Sequence, residues 1–284
     1  MIQTSRQLKA LVRNMSKGDS NKALVIIRNY VMERFLERLS LSPYRDHMIL
    51  KGGILVAAIL GLDNRSTLDL DAAIKKLPLS VENACHIVQE IISIPVNDGM
   101  TFSINAADTI MDEADYTGVR IILDATLDTM HTPLKIDFST GDVITPGEIS
   151  NIFKLMFEDR TISILTYNLE TLLAEKLETL ITRGTANTRM RDFYDIYALM
   201  TIQPGGTNPA VINDAFMNTC RKRGSVVVLR DAPLILDEVD ISPEIAVLWK
   251  NYQDKFTYAS GARWADVMKS VRKLYEIASQ TKNF

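Results

Sequence analysis

Apolar residues recur at helical spacing at Leu24, Ile27, Val31, Phe35 and Leu39, and Asp19–Ser20 just ahead of them offers an N-cap. The pattern predicts a helix over about residues 21–39, closed by Pro43. Met48–Ile49–Leu50 is a short apolar run entering Gly52–Gly53, which reads as strand then turn. Ile54 to Leu60 follows as a short apolar helix stopped by Gly61. Alternation over 68–74 predicts a strand that sends Leu68, Leu70 and Ala72 into a core, and 80–92 reads as a helix with Pro95 behind it. Further strands are expected at 101–105, 118–124 and 133–138, separated by turn-rich polar stretches. From about residue 165 the texture becomes helical, at 168–182, 191–200, 208–222, 243–256 and 263–279. The pattern thus predicts an α/β domain with N-terminal helices over 1–160 and a helical domain over 161–284.

Composition narrows the classes. With 46% hydrophobic and 24% charged residues, the chain has an ordinary globular balance. No apolar run approaches the roughly 20 residues that a membrane-spanning helix needs. The N-terminus, with Arg6, Lys9 and Arg13 among apolar residues, does not read as a signal peptide, and two distant cysteines suit a reducing cytoplasm. A net charge of -3 argues against wholesale coating of nucleic acid while leaving room for a local basic groove. The three histidines (His47, His86, His131) have no partner at helical spacing, so neither a zinc site nor a Ser–His–Asp triad has local support.

Carboxylates carry the chemistry. Residues two apart on a strand share a face, so Asp69 and Asp71 project together. Two carboxylates so placed repel and favour a cation between them, and hard oxygen ligands suit Mg²⁺ or Mn²⁺. The alternative is an exposed edge strand with two aspartates of no consequence. Gly52–Gly53 lies upstream between strand and helix, where missing side chains let backbone N–H groups approach a phosphate, with Lys51 adding a cation. Asp137, within Leu134–Lys135–Ile136–Asp137–Phe138, supplies a third carboxylate able to accept a proton from an attacking hydroxyl, or to pair with Lys135 on the same face.

In the helical half, Lys176 falls inside the apolar stripe formed by Leu169, Leu172, Leu173, Leu177 and Leu180, with Glu175 and Glu178 on the polar face. It either snorkels over apolar surface or carries positive charge toward a triphosphate. Asp192 shares the face of Ile196 and Leu199, with Asp195 one turn on at its edge. Those acids complement a helix dipole, form a surface pair with Arg191, or orient Lys176. Arg221–Lys222–Arg223, Arg263, Lys269, Arg272 and Lys273 are candidate RNA-phosphate contacts, against the plainer reading of cations at helix ends facing water.

Together these residues carry a resemblance. Lys51–Gly52–Gly53 followed by Arg65–Ser66–Thr67–Leu68–Asp69–Leu70–Asp71 resembles the first motif of the AbiEii-type nucleotidyltransferases, toxins of bacterial toxin–antitoxin and abortive-infection modules. Lys135–Ile136–Asp137 is similar to the family's third-carboxylate strand, Ala174–Glu175–Lys176–Leu177 to its helical motif, and Arg189 to Asp195 to its closing R-x-K-D-x-x-D pattern. Arg191 stands where lysine is usual, and Ile54 where a small or hydroxylated residue often follows the glycines. The resemblance covers about residues 48–200 and implies an α+β fold: a polymerase-β-like core of mixed sheet and flanking helices, then a mainly helical domain completing an NTP cleft. It implies Mg²⁺- or Mn²⁺-dependent transfer of a nucleoside monophosphate from an NTP to an RNA acceptor, expected to be tRNA, with growth arrest and a cognate antitoxin that is often a DNA-binding repressor. In that reading Asp69, Asp71 and Asp137 hold metal, and Asp137 also activates the acceptor hydroxyl. Lys51, Gly52, Gly53, Arg65 and Thr67 meet phosphates, Lys176 neutralises the triphosphate, and Asp192 and Asp195 position that lysine or the nucleotide. The rival functions are a kinase-like phosphotransferase on the same carboxylates and a non-catalytic regulatory binding protein.

Overall fold

A computed structural model describes residues 1–111, 117–202 and 206–280. The chain forms two compact units: residues 1–58, 66–142 and 149–166 make the first, and 59–65, 143–148 and 167–284 the second. The architecture is α+β, a mixed seven-stranded sheet with helices and then a helical unit.

The first unit runs α1 (Ser5–Ser16), α2 (Ser20–Leu41), β1 (Met48–Lys51), α3 (Gly52–Leu60), β2 (Asp69–Ile74), α4 (Val81–Ile92), β3 (Met100–Met111), β4 (Thr117–Leu127), β5 (Met130–Thr140), β6 (Ile149–Lys154) and β7 (Thr161–Thr166), with α3 ending past its boundary. Asp19 caps α2 as its sequence suggests, accepting from the amides of Asn21 at 2.8 Å and Lys22 at 3.0 Å. The sheet order is β3-β4-β5-β2-β1-β7-β6. β2 pairs parallel with β5 and β1 parallel with β7; the other neighbours are antiparallel. The register sets Asp69 beside Lys135, Leu70 beside Ile136 and Asp71 beside Asp137.

Alternation sorts the sheet's two faces. Leu70, Ala72, Leu134, Ile136 and Phe138 are buried with Ile121 and Leu123 in one core, to which α2 contributes Tyr30, Phe35 and Leu39 and α4 Val88 and Ile91. Burying each such side chain contributes about 1.5–3 kcal/mol, which makes a one-residue slip of β2 against β5 prohibitive. The odd-numbered polar residues consequently share the other face. Leu68 departs from expectation: it precedes β2 and is exposed, because the extended chain begins only at Asp69. Leu24 is likewise exposed rather than part of the apolar face of α2.

α2 also buries charge. Arg34 is fully buried and lies 3.0 Å from Glu37 and 3.3 Å from Glu158, while Arg160 reaches both glutamates. Glu33 accepts from the Met156 amide at 2.7 Å. Burial, reinforced by Glu158 and Glu37 against the opposing Met156 amide and Arg34, pushes its carboxyl up to about 7.

The second unit contains α5 (Leu169–Arg183), α6 (Met190–Ile202), α7 (Pro209–Lys222), α8 (Ala232–Ile241), α9 (Pro243–Lys255) and α10 (Trp264–Ala278). Asn168 caps α5 by accepting from Thr171, and its own amide donates to the carbonyls of Thr145 at 2.8 Å and Gly147 at 2.9 Å. One buried side chain thereby starts a helix and ties the 143–148 segment into this unit. Asn208 and Ser242 cap α7 and α9 in the same way, each followed by proline in the first turn, where the absent N–H is not missed. The expected helices at 168–182, 191–200, 208–222, 243–256 and 263–279 thus all form, and α8 is added to them.

Candidate active site

Strand pairing writes a row of charge across the polar face of the sheet. Arg120 on β4 stands beside Asp137 on β5, Asp137 beside Asp71 on β2, and Asp71 beside Lys51 on β1. Asp69 and Lys135 form a second pair one pleat away. The Arg120 guanidinium forks onto Asp137, with Nε 2.8 Å from Oδ1 and Nη2 2.8 Å from Oδ2. The Lys135 ammonium lies 2.9 Å from Asp69 and 3.9 Å from Asp137, so it bridges two carboxylates and answers mainly to the first.

Asp71 is pressed by burial and by like charges. Burial raises its carboxyl above the ordinary range; Lys51 opposes the rise, and the like charges of Asp137 and Asp69 add to it. Such a carboxylate favours an approaching cation. Three carboxylates on one rigid strand pair match the donor chemistry that Mg²⁺ or Mn²⁺ prefers. Among the described residues, no group of three or more His, Cys, Asp or Glu is drawn together closely enough to hold a metal ion with side chains as they stand.

Gly52 explains how Asp71 fits. Its φ is +65°, and a Cβ there would lie 2.5 Å from Oδ2 of Asp71. The missing side chain therefore accommodates a carboxylate first of all, and the backbone left bare at the start of α3 includes Gly53. Lys51 is held 2.8 Å from Asp142, which also accepts from Ser139 at 2.7 Å. Thr67 is buried, and its hydroxyl donates to the Asp69 carbonyl at 3.3 Å, bracing the turn into β2 instead of standing open to a phosphate.

The second unit holds its own charge cluster. Lys176 on α5 is buried and lies 2.6 Å from Asp192 and 2.8 Å from Asp195, both on α6. Asp195 is fully buried, not at the edge of its helix face, and its other partner is Arg65, whose Nε sits 2.6 Å from Oδ1 and Nη2 3.1 Å from Oδ2. Burial works against the Lys176 ammonium, yet Asp192 and Asp195 outweigh it and raise its pKa. Burial likewise opposes the Asp195 carboxylate, but Arg65 and Lys176 hold it below the usual range. Lys176, Arg65 and Asp195 thus stay ionised inside the unit. Arg65 is wholly buried in this arrangement and committed to Asp195, so as it stands its guanidinium organises the cluster and is not open to a phosphate.

Sequence reading missed Arg120 and Asp142. The only trace of Arg120 is its place on the polar alternation of β4, since its register against β5 cannot be read from spacing. Glu178, expected on a polar face, is buried against Arg223 at 2.6 Å, with Glu175 3.3 Å from the same guanidinium. Arg272 is similarly engaged by Asp237 and Asp240, and the exposed Arg263 by Asp266. Three of the cations expected to touch RNA are therefore paired within the unit.

A family model described as "Nucleotidyl transferase AbiEii toxin, Type IV TA system" matches residues 34–275. No curated protein matches the sequence significantly. Among solved structures, JHP933 from Helicobacter pylori is similar with a TM-score of 0.50 at 14% identity, covering 89% of this chain and 93% of its own. A candidate nucleotidyltransferase from H. pylori gives 0.49 at 16% identity, covering 89% and 96%. An antigenic nucleotidyltransferase-like protein from Paracoccidioides brasiliensis gives 0.38 at 14% identity, covering 94% of each chain. At these identities the likeness to JHP933 speaks to the fold alone.

Proposed function

This chain belongs to the AbiEii nucleotidyltransferase toxin family of type IV toxin–antitoxin systems, and from that premise we propose that it transfers a nucleoside monophosphate from an NTP to a hydroxyl of an RNA acceptor, with tRNA as the target and arrest of translation and growth as the result. The observation that carries this reading is the register that places Asp71 beside Asp137, with Asp69 on the same face.

In the proposed reaction the acceptor oxygen forms a bond to the α-phosphorus, the bond to the bridging oxygen breaks, and pyrophosphate leaves. The hydroxyl proton passes to Asp137. Asp69, Asp71 and Asp137 would hold Mg²⁺ or Mn²⁺, which when bound supplies positive charge to the phosphate oxygens. Gly52 and Gly53 offer bare backbone to the phosphates beside Lys51. Lys176 is assigned to the triphosphate's charge. Asp192, partly exposed, holds its ammonium from one side, and Asp195, with both oxygens engaged, positions it from the other. Arg65 supports this arrangement from a buried position, and Thr67, also buried, braces the turn into β2 that carries Asp69. The partner in the module is an antitoxin, which we take to be a DNA-binding repressor. No helix among the described residues is long and apolar enough to cross a membrane.

The test uses the full chain, Mg²⁺ or Mn²⁺, total tRNA and NTPs labelled at either the α or the γ phosphate. Label entering RNA from the α position, abolished in Asp71→Asn, is expected. Label from the γ position would instead establish a kinase-like phosphotransferase. No transfer from any nucleotide, with growth arrest undiminished by Asp71→Asn, would mark a binding protein.

A further inference from the structure

Arg120 and Lys135 sit on the carboxylates that would hold the metal. Both oxygens of Asp137 are taken by the Arg120 fork, and Asp69 is taken by Lys135. Stability is only part of the reason: the fork is bidentate, but the Arg120 side chain is 38% exposed, and ion pairs that open to water contribute modestly to folding. Charge counting gives a better account. Three carboxylates face two cations here, with a third, Lys51, shared with Asp142. A divalent ion arriving alone must displace or tolerate positive charge already seated on its ligands. A metal arriving with a triphosphate brings the anion that those cations can move to, and a guanidinium fork suits phosphate oxygens as well as it suits a carboxylate.

We propose that Arg120, aided by Lys135, is an exchangeable counter-cation: it sits on the carboxylates until metal binds, then pairs with the triphosphate of the incoming nucleotide. This rests on the metal-dependent reading above. It makes metal and nucleotide binding mutually dependent, because each supplies the charge that the other needs.

The experiment is a titration of the full-length protein with Mn²⁺ alone, followed by inorganic tripolyphosphate at saturating Mn²⁺, for wild type, Arg120→Gln and Asp71→Asn. A unit charge roughly 5 Å from a divalent ion changes its affinity by about tenfold even at the dielectric constant of water. Arg120→Gln is therefore expected to bind Mn²⁺ about tenfold more tightly and tripolyphosphate more weakly. A pair whose whole role is to brace the sheet predicts a lower melting temperature in Arg120→Gln, whereas the opposite-signed changes report a cation that opposes the metal and serves the polyphosphate. Unchanged or weaker Mn²⁺ binding in Arg120→Gln overturns the proposal, as does unchanged tripolyphosphate affinity. Loss of Mn²⁺ binding in Asp71→Asn shows in either event that the carboxylates hold metal. If Asp71→Asn binds Mn²⁺ like wild type, the metal reading itself fails and the counter-cation role falls with it. Should Arg120→Gln fail to fold, Lys135→Gln tests the same opposite signs.

Discussion

Replacing Asp195 by asparagine keeps the shape of the side chain and removes one charge from a cluster that burial has made unforgiving. In the native unit Asp195 accepts two hydrogen bonds from Arg65, at 2.6 and 3.1 Å, and lies 2.8 Å from Lys176. Both Asp195 and Arg65 are fully buried, so water cannot replace what is lost. Removing one member of a buried pair typically costs about 3–5 kcal/mol, because the other charge stays desolvated. Lys176 keeps Asp192, so its share of the loss is partial, and the total should fall within that range instead of doubling it. Each kcal/mol shifts the melting temperature by about 2–4 °C in a chain of this size, so Asp195→Asn should melt roughly 6–20 °C below wild type. Asp192→Asn is the internal comparison. Asp192 is partly exposed and its lysine retains Asp195, so its cost should be nearer the lower end of the about 1.5–3 kcal/mol that one charge-assisted hydrogen bond contributes. Thermal and urea unfolding of the two variants decide the matter. If Asp192→Asn proves the more damaging to stability, Asp195 is not the keystone of the cluster and the argument from burial is refuted.

The remaining predictions concern the first unit. Glu33, whose folded pKa is about 7 against an ordinary 4.5, favours the fold while protonated. Its contribution is complete below the unfolded value and is lost as pH rises through the folded one, a change on the order of 3 kcal/mol. Glu33→Gln should flatten the fall in melting temperature between about pH 4.5 and 7, and coincident wild-type and variant slopes would contradict the assignment. Gly52→Ala should destabilise the protein more than Gly61→Ala. Both positions have positive φ, but only at Gly52 would the new methyl collide with Asp71, so transfer activity should fall there and survive at Gly61. Asp71→Asn should abolish transfer while raising the melting temperature, since an ionised carboxylate whose pKa is raised by burial opposes folding at neutral pH; a lower melting temperature would count against that electrostatic picture.

Much of this was legible before the structure. The helices with strong apolar periodicity and a capping residue, such as α2 behind Asp19 and α5 behind Asn168, fall within two residues of where the pattern puts them. Asp69, Asp71 and Asp137 share a face as the alternation implied, and Lys176 meets Asp192 as one of the alternatives allowed. What escaped notice has identifiable causes. α1 is announced by a capping box between Thr4 and Gln7, a signal present in the sequence but not used. α8 has no side-chain cap, and β6 is an edge strand with exposed apolar positions such as Ile152, so neither stands out. β4 and β5 run longer than expected at their shared end because the turn between them is only Asp128–Thr129, with Asp128 supplying the positive φ that glycine usually provides, and β3 runs on to Met111 by pairing along the start of β4. Arg65 and Asp195 are 130 residues apart, and Arg120 meets Asp137 only through strand register. Long-range pairings of that kind are invisible to periodicity, and they govern which charged residues are free and which are committed.

The parallel pairing of β2 with β5 has a consequence for when the proposed site can first assemble. Parallel strands cannot be joined by a tight turn, and here more than fifty residues, including α4 and the β3–β4 hairpin, intervene between them. A nascent chain that has emerged only as far as β4 carries Asp69 and Asp71 but has no Asp137 to set beside them. Non-local pairing of this kind is also slow relative to helix and hairpin formation. On the proposed mechanism, synthesis and competence are therefore separated in time: catalysis must wait until β5 has been made and inserted in register, and an interrupted translation product ending before that strand is inert.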